Sequence, residues 1–199
     1  MMVFVLCSAS AFAAPGNGPV LVLGDSLSAA YGLRSDAGWV TLLHGRLQQA
    51  PSPREVVNAS ISGETTAGGL ARLPKLLTDH KPALVIVELG ANDALRGLPL
   101  SAPRDNLRRI VILSKEAGAS VLLVGTEIPI NYGPQYRDGL RSMYRDLAGD
   151  FNLPLVPFLL EGIALDPDLM QADGLHPTAQ AQPKVLDNVL PAIEKALAR

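Results

Sequence analysis

Thiols are nearly absent from this sequence: of 199 residues only Cys7 carries one. It sits in the N-terminal apolar run 3–14, and a mature chain without that run has no disulfide, thiol nucleophile or thiolate-ligated metal. Aromatic residues are scarce at 5%, with four Phe, four Tyr and one Trp, which leaves few platforms on which bases or sugars could stack. No excess of charge is present either, since 17 Lys and Arg face 19 Asp and Glu for a formal net charge of −2. A phosphate backbone demands a basic stripe, so no nucleic acid partner is expected. A long hydrophobic run is missing as well, because the stretch at 3–14 falls short of the roughly 20 apolar residues that cross a bilayer. What the chain does have is apolar material, 48% hydrophobic against 18% charged, enough to build a core and too little charge for disorder. Any chemistry must come from oxygen and nitrogen side chains.

Residues 1–14 read as a signal peptide. Ala11, Phe12 and Ala13 supply a small-x-small cleavage pattern, and Pro15 and Gly16 break a helix just beyond it. No Lys or Arg precedes the apolar run, so a truncated start or an unstructured tail are the competing readings. With cleavage, residues 15–199 form a single exported domain, periplasmic or secreted, with no stable membrane insertion. The modest charge and the lack of heptads point to a monomer.

Short runs rich in Val, Ile and Leu at 20–23, 56–57, 84–89, 121–124 and 153–156 alternate with helical spacing at 38–49, 64–80, 103–117, 135–150 and 177–198. Ser101 is an N-cap candidate and Gly118 a helix stop. This rhythm predicts a flavodoxin-like three-layer α/β/α fold with a five-stranded parallel sheet in the order 2-1-3-4-5. Its crevice lies beyond strands one and three, where the winding reverses.

Four segments reach that crevice. The first strand ends in Gly24-Asp25-Ser26-Leu27-Ser28, where Ser26 is either a helix cap or a nucleophile. Near the C-terminus stands Asp173-Gly174-Leu175-His176-Pro177, an acid and an imidazole three residues apart. Pro177 is suited to the first position of a helix and biases His176 toward extended backbone, aiming the ring out of the loop. A serine hydroxyl needs a base and a carboxylate that orients it, and Ser26, His176 and Asp173 supply all three. An oxyanion needs donors, for which Gly63 offers a backbone N–H and Asn92 a side-chain amide. Ordinary turn chemistry explains Ser62-Gly63 and Asn92-Asp93 equally well when each is taken alone. Asp25 and Asp93 are expected to bond local backbone.

With Gly24-Asp25-Ser26-Leu27-Ser28, Ser62-Gly63-Glu64, Gly90-Ala91-Asn92-Asp93 and Asp173-Gly174-Leu175-His176-Pro177 in this order, the chain resembles the GDSL, or SGNH, serine hydrolases. Within them it is similar to the branch of bacterial periplasmic thioesterases, lysophospholipases and arylesterases, the stretches 57–63 and 69–73 included. The resemblance implies Ser26 as nucleophile, His176 as general base and then acid, and Asp173 as its orienting carboxylate. It also implies an oxyanion hole of the Ser26 and Gly63 N–H groups with the Asn92 side chain. Ile128 and Pro129 align with substrate-groove positions and Tyr132 lies beside them, although a hydrophobic turn packed on the core accounts for them as well. The implied partner is a small-molecule acyl ester or thioester, hydrolysed with no cofactor and no metal.

The rivals differ in motif. An α/β-hydrolase would carry Gly-x-Ser-x-Gly, a nucleotide binder a P-loop and a zinc hydrolase His-Glu-x-x-His; none is present. A carbohydrate acetylesterase with the same catalytic groups, and a noncatalytic exported binding module on the same scaffold, are the alternatives that remain.

Overall fold

The computed structural model describes residues 16–198, so the signal-peptide reading of 1–14 falls outside the described residues. Five parallel strands, β1 (Val20–Gly24), β2 (Val56–Asn58), β3 (Leu84–Glu88), β4 (Ser120–Val124) and β5 (Leu155–Val156), form one sheet in the order β2-β1-β3-β4-β5. The expected order is therefore the observed one. β1 and β3 are buried along their whole length, which is why they read as continuous apolar runs rather than as alternating patterns.

The alternation appears instead as a division between two cores. Val20, Val22, Leu84, Ile86, Leu122 and Val124 face one layer, and Leu21, Leu23, Val85, Val87, Val121 and Leu123 face the other. The first layer is covered by α1 (Trp39–Gln48) and α6 (Gln182–Leu197), through Leu43, Val185 and Val189 among others. The second is covered by α2 (Thr66–His80), α4 (Ser101–Glu116) and α5 (Pro134–Phe151), through Leu73, Ile110 and Leu147 among others. Right-handed crossovers explain this partition: the chain steps from β1 outward to β2, then reverses to β3, β4 and β5, so the helices that connect strands after β2 lie on the other face, and α6, which follows the last strand, returns to the first.

Several expectations are corrected. Pro177 does not open a helix. It sits in an antiparallel bridge with Met170, and α6 starts only at Gln182 with a different proline, Pro183, in its first turn. The Gln182 side chain, 1% exposed, accepts a 2.9 Å bond from the Trp39 N–H, joining the starts of α6 and α1. Ser101 is the first residue of α4 rather than its cap, because Leu100 takes that place without a side-chain bond. Gly118 does follow the end of α4, at φ +85°. The segment read as a loop after β3 contains a short helix, α3 (Ala91–Leu95), too brief to leave a periodic pattern.

Because Leu21 is fully buried in the second core, Leu21→Ala should lower the unfolding free energy by about 2–5 kcal/mol. The check is a urea midpoint that falls with an unchanged m-value.

Candidate active site

The crevice begins with the pairing of β1 and β3. Their register sets Gly24 opposite Glu88, so the two chains leave the sheet side by side at the same level. On the β1 side the chain turns sharply: Asp25 Oδ1 accepts the Leu27 N–H at 3.0 Å, and the Ser26 carbonyl accepts the Tyr31 N–H at 3.2 Å. No helix follows for Ser26 to cap, since the next one, α1, begins at Trp39 behind Gly38. The cap reading of Ser26 is thereby corrected. Its hydroxyl lies 2.9 Å from His176 Nε2.

The segment 170–178 delivers the imidazole. The Gln171 N–H donates to the His176 carbonyl at 2.7 Å, and the Thr178 N–H to the Leu169 carbonyl at 2.8 Å, forming a narrow loop. Gln171 Nε2 ties this loop to the Ser26 side of the crevice by donating to the carbonyls of Tyr31 at 2.9 Å and Pro177 at 3.0 Å. The Tyr31 ring packs on His176 with centroids 4.5 Å apart. Residue 173 completes the line: Asp173 Oδ2 is 2.7 Å from His176 Nδ1, while Oδ1 accepts the N–H groups of Leu175 at 2.9 Å and His176 at 3.0 Å. Those backbone donors, the Leu175 N–H first, together with the ring, hold the carboxyl down at about 2, so the Asp173 side chain is an anion at working pH. An anion at Nδ1 keeps a hydrogen on that nitrogen and leaves Nε2 free to accept the hydroxyl proton.

Amide donors line the same cleft from two more segments. Gly63 stands at φ +79°, a left-handed conformation that suits a residue without Cβ. Neither its N–H nor that of Ser26 has a protein acceptor among the described residues. Asn92 lies on α3, whose approach depends on Gly90: at φ +122°, a Cβ there would stand 2.4 Å from the Tyr144 hydroxyl. The Asn92 amide donates to Asp25 Oδ2 at 3.1 Å and to the Glu64 carbonyl at 2.9 Å. Two acceptors for one NH2 group fix the orientation of the amide.

Asp93 does not bond local backbone. Its carboxylate accepts the Thr66 N–H at 2.9 Å and the Thr66 hydroxyl at 2.7 Å, fastening α3 to the start of α2 across 27 residues of sequence. Asp25 bonds locally to Leu27, as expected, but also reaches Asn92. Glu88 drew no attention in the sequence, yet it accepts the Asp25 N–H at 3.2 Å and the Ser28 hydroxyl at 2.7 Å while fully buried. Its only signal was a carboxylate closing an otherwise apolar strand.

A cleft of about 970 Å³ opens over these groups, lined by Ser26, Gly63, Asn92 and His176. Ile128 and Pro129 also line it. Ile128 is buried and packs in the second core at the same time, so the groove and core-packing readings both describe it. Tyr132 is corrected: it does not line the cleft, because its hydroxyl donates to the Leu95 carbonyl at 2.7 Å and its ring packs against the core and Tyr136. Glu127, which sequence reading passed over, is gripped by Arg137 and by both Nε and a terminal nitrogen of Arg141. The Arg137 Nε also donates to the Ile128 carbonyl at 3.1 Å, bracing the loop that carries the cleft wall.

Comparison with known proteins gives the chain a family. The model of the GDSL-like lipase/acylhydrolase family matches residues 22–182. Esterase TesA of Pseudomonas aeruginosa is 49% identical over 178 residues, 89% of this chain and 89% of that protein. The thioesterase 1/protease 1/lysophospholipase L1 of Escherichia coli is 46% identical over 176 residues, 88% of this chain and 83% of that one. The crystal structure of the psychrotrophic esterase EstA from a Pseudoalteromonas species, inhibited by monoethylphosphonate, has a TM-score of 0.87 at 43% identity and covers 92% of this chain and 100% of that one. With the family model spanning strand β1 through the start of α6 and relatives near half identity over most of the chain, this protein belongs to the GDSL-like lipase/acylhydrolase family.

Proposed function

We propose that this protein is a serine carboxylic ester hydrolase that cleaves esters and thioesters through an acyl-enzyme intermediate. The observation that carries the reading is the continuous hydrogen-bonded line from Ser26 Oγ through the His176 ring to Asp173, at 2.9 and 2.7 Å. Ser26 Oγ attacks the acyl carbon while its proton passes to His176 Nε2. The anionic Asp173 favours the resulting imidazolium. Collapse of the tetrahedral intermediate expels the alcohol or thiol, which takes the proton from Nε2. Water then enters, gives a proton to the same nitrogen and attacks the acyl-enzyme, and the acid leaves as Ser26 recovers its proton.

The oxyanion formed in both steps is received by the N–H groups of Ser26 and Gly63 and by the Asn92 amide. The first two are free of protein acceptors among the described residues. Asn92 has both hydrogens engaged, so one must be transferred. The Glu64 carbonyl is the neutral acceptor of the two, and a full negative charge outcompetes it because a charge-assisted hydrogen bond is about twice as strong as a neutral one.

Substrate breadth follows from the wall of the cleft. Ile128, Pro129, Phe158 and Leu160 line it, and Ile130 and Leu165 stand on it at 80% and 98% exposure. That surface suits apolar acyl chains without prescribing one, and the named relatives are an esterase and a thioesterase/lysophospholipase. Aryl esters, acyl thioesters and lysophospholipids are the proposed substrates. Residues 1–14 are proposed to direct export, after which the protein acts as a periplasmic or secreted monomer. Among the described residues no helix is long and apolar enough to cross a membrane.

A fluorophosphonate probe should form one adduct, located on Ser26 by mass spectrometry, and Ser26→Ala should hydrolyse none of a p-nitrophenyl ester series from acetate to decanoate. A folded wild type that neither labels nor turns over any member of the series sinks the reading in favour of a binding module. Asp173→Asn, with its fold checked by circular dichroism, should lower kcat by up to about 10⁴-fold through loss of the correct tautomer. Wild-type kcat in the folded Asp173→Asn enzyme would remove Asp173 from the mechanism.

A further inference from the structure

Two buried carboxyl groups stand directly behind the proposed nucleophile, and neither takes part in the hydrolytic steps. Asp25 and Glu88 are each 1% exposed and are joined by the 3.2 Å bond from the Asp25 N–H to Glu88 Oε2. The site is built for the second carboxyl: a Cβ on Gly24 would come within 2.9 Å of Glu88 Oε2 and 2.7 Å of the Ser28 Cβ. Two carboxyl groups buried beside each other, out of water, repel strongly if both are ionised, and the pair is expected to hold one proton between them.

Geometry says which member holds it. Glu88 is enclosed between β1 and β3, with the Asp25 N–H and the Ser28 hydroxyl as its donors. Asp25 borders the cleft, accepts the Leu27 N–H and the Asn92 amide, and lies near enough to the His176 imidazole for a positive charge there to favour its ionised form. Charge settles nearer to the cleft and nearer to the imidazole that becomes a cation when it takes the Ser26 proton. In agreement, burial pushes Asp25 up only to about 6, whereas burial and the neighbouring Asp25 push Glu88 well above the ordinary carboxyl range.

We propose that Glu88 and Asp25 form a one-proton pair in which neutral Glu88 supports ionised Asp25, and that Asp25 is a positioning residue holding the Asn92 amide at the oxyanion. Asp25 is the pivot that stays, and the Glu64 carbonyl is the partner that is released. The proposal rests on the reading of Asn92 as an oxyanion donor. It gives the aspartate of the Gly24-Asp25-Ser26 segment a task distinct from that of Asp173: one carboxylate orients the base, the other orients the electrostatic trap.

Four variants and one spectrum test it, each variant first verified as folded by circular dichroism and thermal melting. Asn92→Ala should lose about 10²- to 10³-fold in kcat on p-nitrophenyl butyrate; an unchanged kcat removes the oxyanion reading and this proposal with it. Given that loss, Asp25→Asn should lower kcat by at least about 10-fold with KM within about twofold. The double variant Asp25→Asn/Asn92→Ala should be no slower than Asn92→Ala alone, because the second change has nothing left to position. Losses that multiply, or an Asp25→Asn enzyme with wild-type kcat while Asn92→Ala is impaired, overturn the proposal and leave the Asn92 reading standing. Glu88→Gln imitates a protonated glutamate and should keep kcat within about threefold, because charge and shape beside Asp25 are unchanged; a loss as large as that of Asp25→Asn overturns the placement of the proton. Should Asp25→Asn fail to fold, ¹³C carboxyl shifts of the wild type at pH 7.5 decide: a protonated Glu88 beside an ionised Asp25 supports the pair, and an ionised Glu88 overturns it.

Discussion

The register between β1 and β3 is the constraint on which the rest of the site depends. It fixes Gly24 against Glu88, so the loop carrying Ser26 and the short helix carrying Asn92 leave the sheet at one level and converge over its edge. A slip of β1 by one residue would turn Val20 and Val22 to the opposite core and reverse every side chain on the strand. The hydrophobic cores on the two faces thus enforce the positions of polar groups at the strand ends. Packing energy in the sheet becomes positional accuracy in the crevice.

Within that crevice, carboxyl groups of similar intrinsic acidity are given opposite treatment. Asp173 is partly exposed and accepts three hydrogen bonds, which keep it ionised far below the ordinary range. Asp25 and Glu88 are buried against each other and are pushed the other way. Asp93 is buried too, but both its oxygens are taken by Thr66, and its work is to hold α3 and α2 together. Environment, not residue type, separates these four roles.

The loops are held as firmly as the strands. Gln171 ties the His176 segment to Tyr31, the Tyr144 hydroxyl donates to the Leu89 carbonyl at 2.7 Å just before Gly90, and Arg137 and Arg141 converge on Glu127 beside the cleft wall. Each of these bonds crosses from one element to another. In the proposed reaction, a serine so constrained needs little reorganisation when charge develops beside it.

Local chemistry was legible in the chain itself. The buried strands announced themselves as apolar runs, the order of the sheet followed from the alternation of strand and helix, and the four polar segments stood out by their Gly, Ser, Asn, Asp and His, three of them just after strands and the fourth shortly before the last helix. The spacing of Asp173 and His176 already allowed their contact, since three residues of loop can close on themselves. Pairings across long separations were beyond such reasoning. Nothing local marks Glu88 as the partner of Asp25, Asp93 as the partner of Thr66, Tyr132 as bonded to Leu95 rather than facing a groove, or Pro177 as a bridge residue rather than the start of a helix. A hydrogen-bond partner is chosen by distance in space, and across tens of residues only the packed sheet and its covering helices set that distance.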